Sequence, residues 1–354
     1  MYLYLQGGGV NSSSLYHEDL EFIDSLNLDW EKISGKTFLI SGASGLIGSF
    51  LVDVLMRRNC RVHALGRSYD KTAKRFANYI DSKNFEFTPH DINTPLINIS
   101  GNYDYVIHLA SNTHPIDYSA DPVGTVTANV IGLNNMLRFA VEHEARRFVF
   151  ASSVEVYGDN RGDTEFFDED YCGYINISKA RSGYPESKRC GETLCLSYMQ
   201  QYGLSVVIPR FSRTYGPTMQ MSDSKAIAQF IKKGLAGENI ILKSAGNQLY
   251  SYSYAADAVS ALLTILTKGS DGTAYNISDG NSDITLKDLA ELIAGYSGTQ
   301  VVFELPDERE ARGYSMALKA RMDSTRLKNL GWSAHYDIKS GIKRTLDILK
   351  VIQS

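Results

Sequence analysis

The chain has 354 residues, with 36 basic and 40 acidic side chains and a formal net charge of −4. That length exceeds one compact core and calls for about two domains, and the charge balance gives no general reason to expect a nucleic-acid or membrane-surface partner. No apolar run is long enough to span a bilayer and no signal peptide is expected, while four cysteines (Cys60, Cys172, Cys190, Cys195) without metal-ligand spacing read as reduced thiols of a cytoplasmic protein, a pair among them remaining open.

Residues 1–34 are expected to form an N-terminal arm and a helix. The opening MYLYLQGGGVNSSS reads as a disordered tail or an expression remnant. From 17 to 33, Leu20, Ile23, Leu26 and Leu28 fall at near-helical spacing behind a cluster of acids, predicting a helix on the outside of the first domain.

The most informative stretch is Thr37 to Ser49, TFLISGASGLIGS. Thr37-Phe38-Leu39-Ile40 reads as a buried parallel strand, and a helical pattern begins near Leu46. Gly42 allows a sharp turn out of the strand. Gly45 lets a backbone approach a diphosphate, and Gly48 lets the helix sit close to the strand. The new helix points unpaired N–H groups at the anion. Three glycines alone mark a turn as readily as a nucleotide site, but the preceding strand and following helix favour the site. Ser44, Leu46 and Ile47 belong to the same candidate cradle.

The helix 46–56 is followed by a strand, 60–65, ending in Gly66-Arg67-Ser68. A NAD-preferring site usually carries an acid here for the ribose 2′-hydroxyl, whereas Arg67 can pair with a 2′-phosphate. NADP is therefore favoured over NAD. The competing reading of Arg67 is stacking on adenine, or solvation. A helix is predicted over 70–80 and a strand over 85–87, closing in His90-Asp91-Ile92, where Asp91 can accept from the adenine amine. The strand 105–109 opens into Ala110-Ser111-Asn112, and small residues at a strand's carboxyl end leave room for a cofactor. His108 and His114 have no ligand-spaced partners and read as structural. No metal site is expected.

A long helix is predicted over 121–141 and a strand over 147–151, followed by Ser152-Ser153-Val154-Glu155-Val156-Tyr157-Gly158. Alternating strands and helices specify an α/β fold with a doubly wound parallel (Rossmann) sheet. Residues 159–180 read as a polar loop over the site. Tyr184 and Lys188 then open a helix running through Tyr202, four residues apart and on one face. A free tyrosine titrates near ~10, and a neighbouring ammonium lowers that value. Such a pair can take a proton from a hydroxyl while hydride leaves for a nicotinamide. Alone, the spacing equally describes a solvated helix face; after five βα units it points to catalysis.

A sixth strand is expected over 204–210, completing a dinucleotide-binding domain of 35–210 with later returns near 250–277. Residues 211–354 are expected to form a smaller α/β substrate-binding region. It has helices over 226–235, 256–266, 285–296 and 338–352, strands over 240–243 and 274–277, and short strands and turns over 297–334.

Jointly these motifs resemble the extended short-chain dehydrogenase/reductase family of nucleotide-sugar epimerases, dehydratases and decarboxylases. The resemblance runs from about Gly35 to the end. It rests on Gly42/Gly45/Gly48, Asp91-Ile92, Leu109-Ala110-Ser111, Ser152-Ser153, Tyr184/Lys188, Arg210-Phe211, Tyr215-Gly216-Pro217 and Tyr254 with Asp257. It implies that Tyr184 is the base and that Lys188 lowers its pKa and binds the nicotinamide ribose. Ser153 would hydrogen-bond the reacting hydroxyl, Phe211 would line the cofactor site, and NAD(P) would take a hydride to give a 4-keto sugar and return it. A homodimer through the helices near 121–141 and 184–202 is implied as well.

In wording the chain is most similar to UDP-glucuronate decarboxylases, through Ser153-Val154-Glu155-Val156-Tyr157-Gly158 and Gly191-Glu192-Thr193-Leu194. Glu155 would then be a second acid/base. The 4,6-dehydratases place an Asp-Glu pair there, and Val154 before Glu155 speaks against dehydration. Three positions depart from these relatives: Arg213 replaces a usual Asn, Tyr250 an Arg that commonly grips the diphosphate, and Lys225 another Arg. All three are candidate substrate contacts, Arg213 being equally readable as a structural ion pair. The expected activity is epimerisation or decarboxylation of a nucleotide sugar. The alternatives are an NADPH-dependent reductase of a keto sugar or aldehyde, and a non-catalytic NADP-binding protein.

Overall fold

The structure, a computed structural model, describes residues 9–113, 120–304 and 319–353. His114, the first eight residues and much of the 297–334 stretch lie outside the described residues. Seven strands come first: β1 (Thr37–Ser41), β2 (Arg61–Gly66), β3 (Phe85–Pro89), β4 (Tyr105–His108), β5 (Arg147–Phe150), β6 (Ser152–Ser153) and β7 (Val206–Phe211). Then come β8 (Arg213–Tyr215), β9 (Ile240–Leu242), β10 (Leu249–Tyr254), β11 (Thr273–Ile277), β12 (Asp283–Thr285), β13 (Val301–Phe303) and β14 (Lys319–Ala320).

The central sheet has the lateral order β3-β2-β1-β4-β5-β7-β11, with β6 beside β7. Every pairing in it is parallel, as the unbroken apolar runs predict. In β1, Phe38, Leu39 and Ile40 are all fully buried, since helices cover both faces. The strand order reverses between β1 and β4, opening a crevice at their carboxyl ends where open α/β sheets bind ligands. The second region holds a small sheet, β12-β10-β14 with β8 on β10, and the parallel pair β9–β13.

Helices α1 (Ser14–Ser25), α2 (Leu46–Arg57), α3 (Tyr69–Arg75), α4 (Pro122–Thr127), α5 (Leu133–Glu142) and α6 (Gly183–Tyr202) belong to the first part of the chain. They are followed by α7 (Ala226–Leu235), α8 (Ala255–Lys268), α9 (Leu286–Ser297), α10 (Thr325–Lys328) and α11 (Ile338–Gln353). Although late in sequence, α8 packs on α2 and β11 extends the first sheet.

Three helices differ from their sequence pattern. The predicted helix over 17–33 is α1 plus a separate turn at Trp30–Lys32, because Leu26 is extended and the Trp30 indole donates to its carbonyl at 3.0 Å. Helix α3 stops at Arg75 because Phe76 leaves the helix to bury its ring 5.1 Å from that of Phe85. The long helix predicted over 121–141 is interrupted by a π-turn at Ala128–Gly132, where a side chain at Gly132 would collide with Ile92 at 2.7 Å.

Helix α1 is tied to both ends of the fold. The Tyr16 hydroxyl donates to buried Asp53, itself paired with Arg75 at 2.5 Å. Asp19, fully buried, accepts from the hydroxyls of Tyr254 and Tyr336 and pairs with Arg344 at 2.8 Å. A buried carboxylate needs such compensation, and here the compensation staples the first helix to β10 and to α11.

Candidate functional site

One cleft of about 1380 Å³ runs along the carboxyl edge of the central sheet and under the small second sheet. At its first end the chain leaves β1 through Gly42 at φ +72°, where a Cβ would meet the Ala110 nitrogen at 2.6 Å. At Gly48 a Cβ would meet the Gly42 carbonyl at 2.4 Å, so α2 approaches the turn as closely as its backbone allows. Gly45 is the N-cap of α2 and offers no side-chain cap, so the first N–H groups of that helix face the cleft without a competitor. The second region latches this turn: Thr218 Oγ1 donates to the Leu46 carbonyl at 2.7 Å and Gln220 Nε2 to the Ser44 carbonyl at 3.4 Å. Such a bare cradle at a helix N-terminus fits a dinucleotide diphosphate.

Ser44, Leu46, Ile47, Arg67, Asp91, Ile92, Leu109, Ala110, Ser111 and Phe211 line the same cleft. Arg67 is exposed at the rim just beyond β2. Asp91 caps its own turn, accepting from the Asn93 amide at 3.0 Å. Ser111 donates to Asn129 at 2.7 Å.

Tyr184, Lys188 and Ser153 line the same cleft. Helix α6 lies close on β5 because Gly191 faces Phe150, whose ring a Cβ would meet at 2.6 Å. That approach buries Lys188, which donates to the Ala151 carbonyl at 2.8 Å and sits 5.9 Å from the Tyr184 ring centroid. Burial pulls the lysine down to about 7. Beneath it His108 bonds Ser41 at 2.7 Å; burial, helped by Lys188, drops its pKa to about 3, so it stays neutral and structural. Ser153, on β6, accepts from the Glu155 amide at 3.3 Å. In register, Ser153 lies opposite Phe211 of β7.

The far end is charged. Glu155 is held by both guanidinium nitrogens of Arg181, at 3.1 and 3.3 Å. Burial alone would raise its pKa; Arg181, and then Arg213, more than offset this and hold it below the usual carboxylate range. Arg213 lies flat on Tyr250, its guanidinium carbon 3.4 Å from the ring centroid. It forms no ion pair among the described residues, and its buried Nη1 has no hydrogen-bond partner. Two of the three departures noted in the sequence, Arg213 and Tyr250, are thus one stacked unit. Lys225 lines the cleft but is held by buried Asp223 at 3.6 Å and by Thr113 at 3.4 Å.

Sequence reading missed Asn129 and Arg181. Asn129 sits in the π-turn, accepts from Ser111 and donates to Ser187 at 2.9 Å, linking the cofactor edge of β4 to α6. A buried Asn inside an apolar helical stretch was the available signal. Arg181 gave none, since nothing local pairs it with Glu155 twenty-six residues away. The Ser153 loop is braced by Ser152, which donates to Glu192 at 2.5 Å, and Glu192 pairs with Arg210 at 2.6 Å.

The family model described as the NAD dependent epimerase/dehydratase family matches residues 38–278. UDP-glucuronic acid decarboxylase 5 of Arabidopsis thaliana is 32% identical over 315 residues, covering 87% of this chain and 88% of the relative. UDP-glucuronic acid decarboxylase 1 of Danio rerio is 31% identical, covering 88% and 72%. Among solved structures, UDP-glucuronic acid 4-epimerase from Bacillus cereus, in complex with UDP-glucuronic acid and NAD, aligns with a TM-score of 0.76 at 23% identity, covering 89% and 99%. The dTDP-glucose 4,6-dehydratase DesIV of Streptomyces venezuelae aligns with the same score and identity, covering 88% and 96%. At that identity the two structures speak for the fold, a parallel sheet flanked by helices. By its family match and its relatives, this chain belongs to the NAD dependent epimerase/dehydratase family.

Proposed function

We propose that this enzyme modifies a nucleotide sugar through a 4-keto intermediate, by decarboxylation or by epimerisation. The observation that carries this reading is that Tyr184, Lys188 and Ser153 line one cleft together with the glycine turn, Glu155 and Arg213, with the Lys188 ammonium 5.9 Å from the Tyr184 ring centroid. Bound NAD(P) supplies a reversible hydride acceptor. Tyr184 takes the proton of the C4 hydroxyl, and the Lys188 ammonium favours the phenolate that can do so. Ser153 orients that hydroxyl. If the sugar carries a carboxyl at C5, the C4 ketone makes it a β-keto acid. Carbon dioxide can then leave with its bonding electrons held as an enolate, which is protonated at C5 before the ketone is reduced. Ionised Glu155 can accept a proton in this sequence but cannot donate one. The names of the relatives support the decarboxylase form.

Arg67 at the end of β2 supports NADP over NAD as the preferred form of the cofactor. Incubation of the purified protein with UDP-glucuronate and either cofactor, followed by mass spectrometry, tests the whole reading. Loss of 44 mass units (one carbon dioxide, ~44 Da) selects decarboxylase, and an isomer of unchanged mass selects epimerase. Net consumption of added NADPH by a keto sugar would instead support the reductase alternative. Equal binding of NAD and NADP would remove the role given to Arg67.

We also infer a homodimer through α4–α5 and α6. Val123 (72% exposed), Ile131, Leu196 and Tyr202 leave apolar surface on these helices. Light scattering should give twice the 39.3 kDa chain mass, and a Val123→Glu, Leu196→Glu variant should give the single mass; a monomeric wild type sinks the idea. Two exposed unpaired thiols, Cys172 and Cys190, suit a reducing compartment, and we place the chain in the cytoplasm. No helix of the described residues is long and apolar enough to cross a membrane.

A further inference from the structure

We propose that Arg213, propped on Tyr250, is the residue that selects a sugar bearing a carboxylate. Its guanidinium receives that carboxylate beside the reacting hydroxyl. The inference rests on the nucleotide-sugar reading above and adds to it a receptor and a selectivity.

Position comes first. Phe211 is in register with Ser153, and Arg213 lies two residues further along the same segment. The Arg213 charge also acts on Glu155, two residues from the serine. The guanidinium therefore reaches the part of the substrate adjoining the reacting hydroxyl, not the glycine cradle at the opposite end.

Charge comes second. Two guanidiniums and one carboxylate meet here, and Arg181 already holds both oxygens of Glu155. Arg213 is left as the surplus cation of the three, in a half-buried position, with Nη1 buried and unpartnered. A charge withdrawn from water is costly until an anion joins it. A neutral hydroxyl would satisfy one N–H and leave the charge; a carboxylate satisfies both.

Posture comes third. Tyr250 of β10 holds the guanidinium plane from below, at 3.4 Å. Arg213 is opposite Tyr252 on the paired strand, so β8 and β10 fix both partners on the same small sheet. A stacked guanidinium keeps its N–H edge free, and that edge matches the two oxygens of a carboxylate. Lys225, another cation lining this cleft, is already held by Asp223.

The test uses calorimetric titration of the cofactor-loaded enzyme with UDP-glucuronate, UDP-glucose and UDP. The wild type should bind UDP-glucuronate at least 10-fold more tightly than UDP-glucose. Arg213→Gln should lose that preference, weakening UDP-glucuronate 10- to 100-fold with UDP-glucose and UDP within about threefold. Tyr250→Leu should show a smaller loss of the same selectivity, while Tyr250→Phe, which keeps the ring, should retain it. Equal weakening of all three ligands in Arg213→Gln would overturn the proposal, because Arg213 would then read the diphosphate. Unchanged binding of all three would overturn it too. A wild type that binds neither sugar would sink the nucleotide-sugar reading itself. A wild type that binds both without preference would overturn only the role of Arg213.

Discussion

Replacing Tyr184 by Phe is expected to lower kcat by about 10²–10⁴-fold, the usual share of a positioned acid–base group. The substitution removes one oxygen and keeps the ring, which is 6% exposed and packed at the head of α6. Cofactor affinity and melting temperature should therefore change little. What disappears is the phenol that lines the cleft beside a lysine on the same helix face. His108 cannot replace it, because burial lowers its pKa to about 3, too weak a base for a hydroxyl proton, and Ser41 occupies its Nδ1. Glu155 cannot replace it at the hydroxyl either, since Arg181 holds its pKa below the usual carboxylate range and leaves it too weak a base for that proton. The measurement is single-turnover formation of reduced cofactor at ~340 nm, alongside product formation by mass spectrometry. Both signals should fall together. Turnover within threefold of wild type would remove Tyr184 from the chemistry and favour a different base. A wild type with no turnover on any nucleotide sugar, but with normal cofactor binding, would favour the non-catalytic alternative.

The parts of this site that could be read before the fold was known are those written in local spacing. Three glycines behind a buried strand specify a turn whose geometry follows from missing Cβ atoms, and the collisions at Gly42 and Gly48 show why no other residue serves. Tyr184 and Lys188 are four apart on a helix, and helical periodicity alone puts them together. The doubly wound parallel sheet needed only unbroken apolar strands alternating with helices. Arg213 and Tyr250 were each visible as departures from a family pattern, but they are thirty-seven residues apart, and only the pairing of β8 with β10 stacks them. The Arg181–Glu155 clasp and the Asn129 bridge were illegible for the same reason. Their partners come from loops and from a π-turn, which have no period to betray them. Where α1 and α3 end was decided by a tryptophan indole and a phenylalanine ring finding distant neighbours, and helix propensity carries no record of either.

Lys188→Met is expected to do two opposite things: abolish most turnover and raise stability near neutral pH. In the unfolded chain a lysine titrates near ~10.4, whereas in the fold burial brings Lys188 down to about 7. The direction fixes the sign. Between those two values the unfolded chain binds a proton that the native protein lacks, so stability rises with pH across this window. Below about 7 both states carry the proton, and the native state bears the whole cost of a buried ammonium. Every tenfold weakening of proton binding by the fold corresponds to ~1.4 kcal/mol. Against this, methionine leaves the Ala151 carbonyl without its donor, a loss of roughly 1–3 kcal/mol. The expected net is a variant more stable than wild type by roughly 2–3 kcal/mol at pH ~6, with the gap nearly closed at pH ~9. Denaturant midpoints of both cofactor-free proteins at the two pH values measure it. A variant that unfolds more easily at the lower pH, or a gap that does not depend on pH, would show that Lys188 is not held against its own solvation. The expected loss of turnover, at least ~10²-fold, would then have to come from geometry alone. If both effects appear together, the fold tolerates an unfavourable buried cation at the one place where the neighbouring phenol requires it, which is how a site under functional constraint differs from a core optimised for stability.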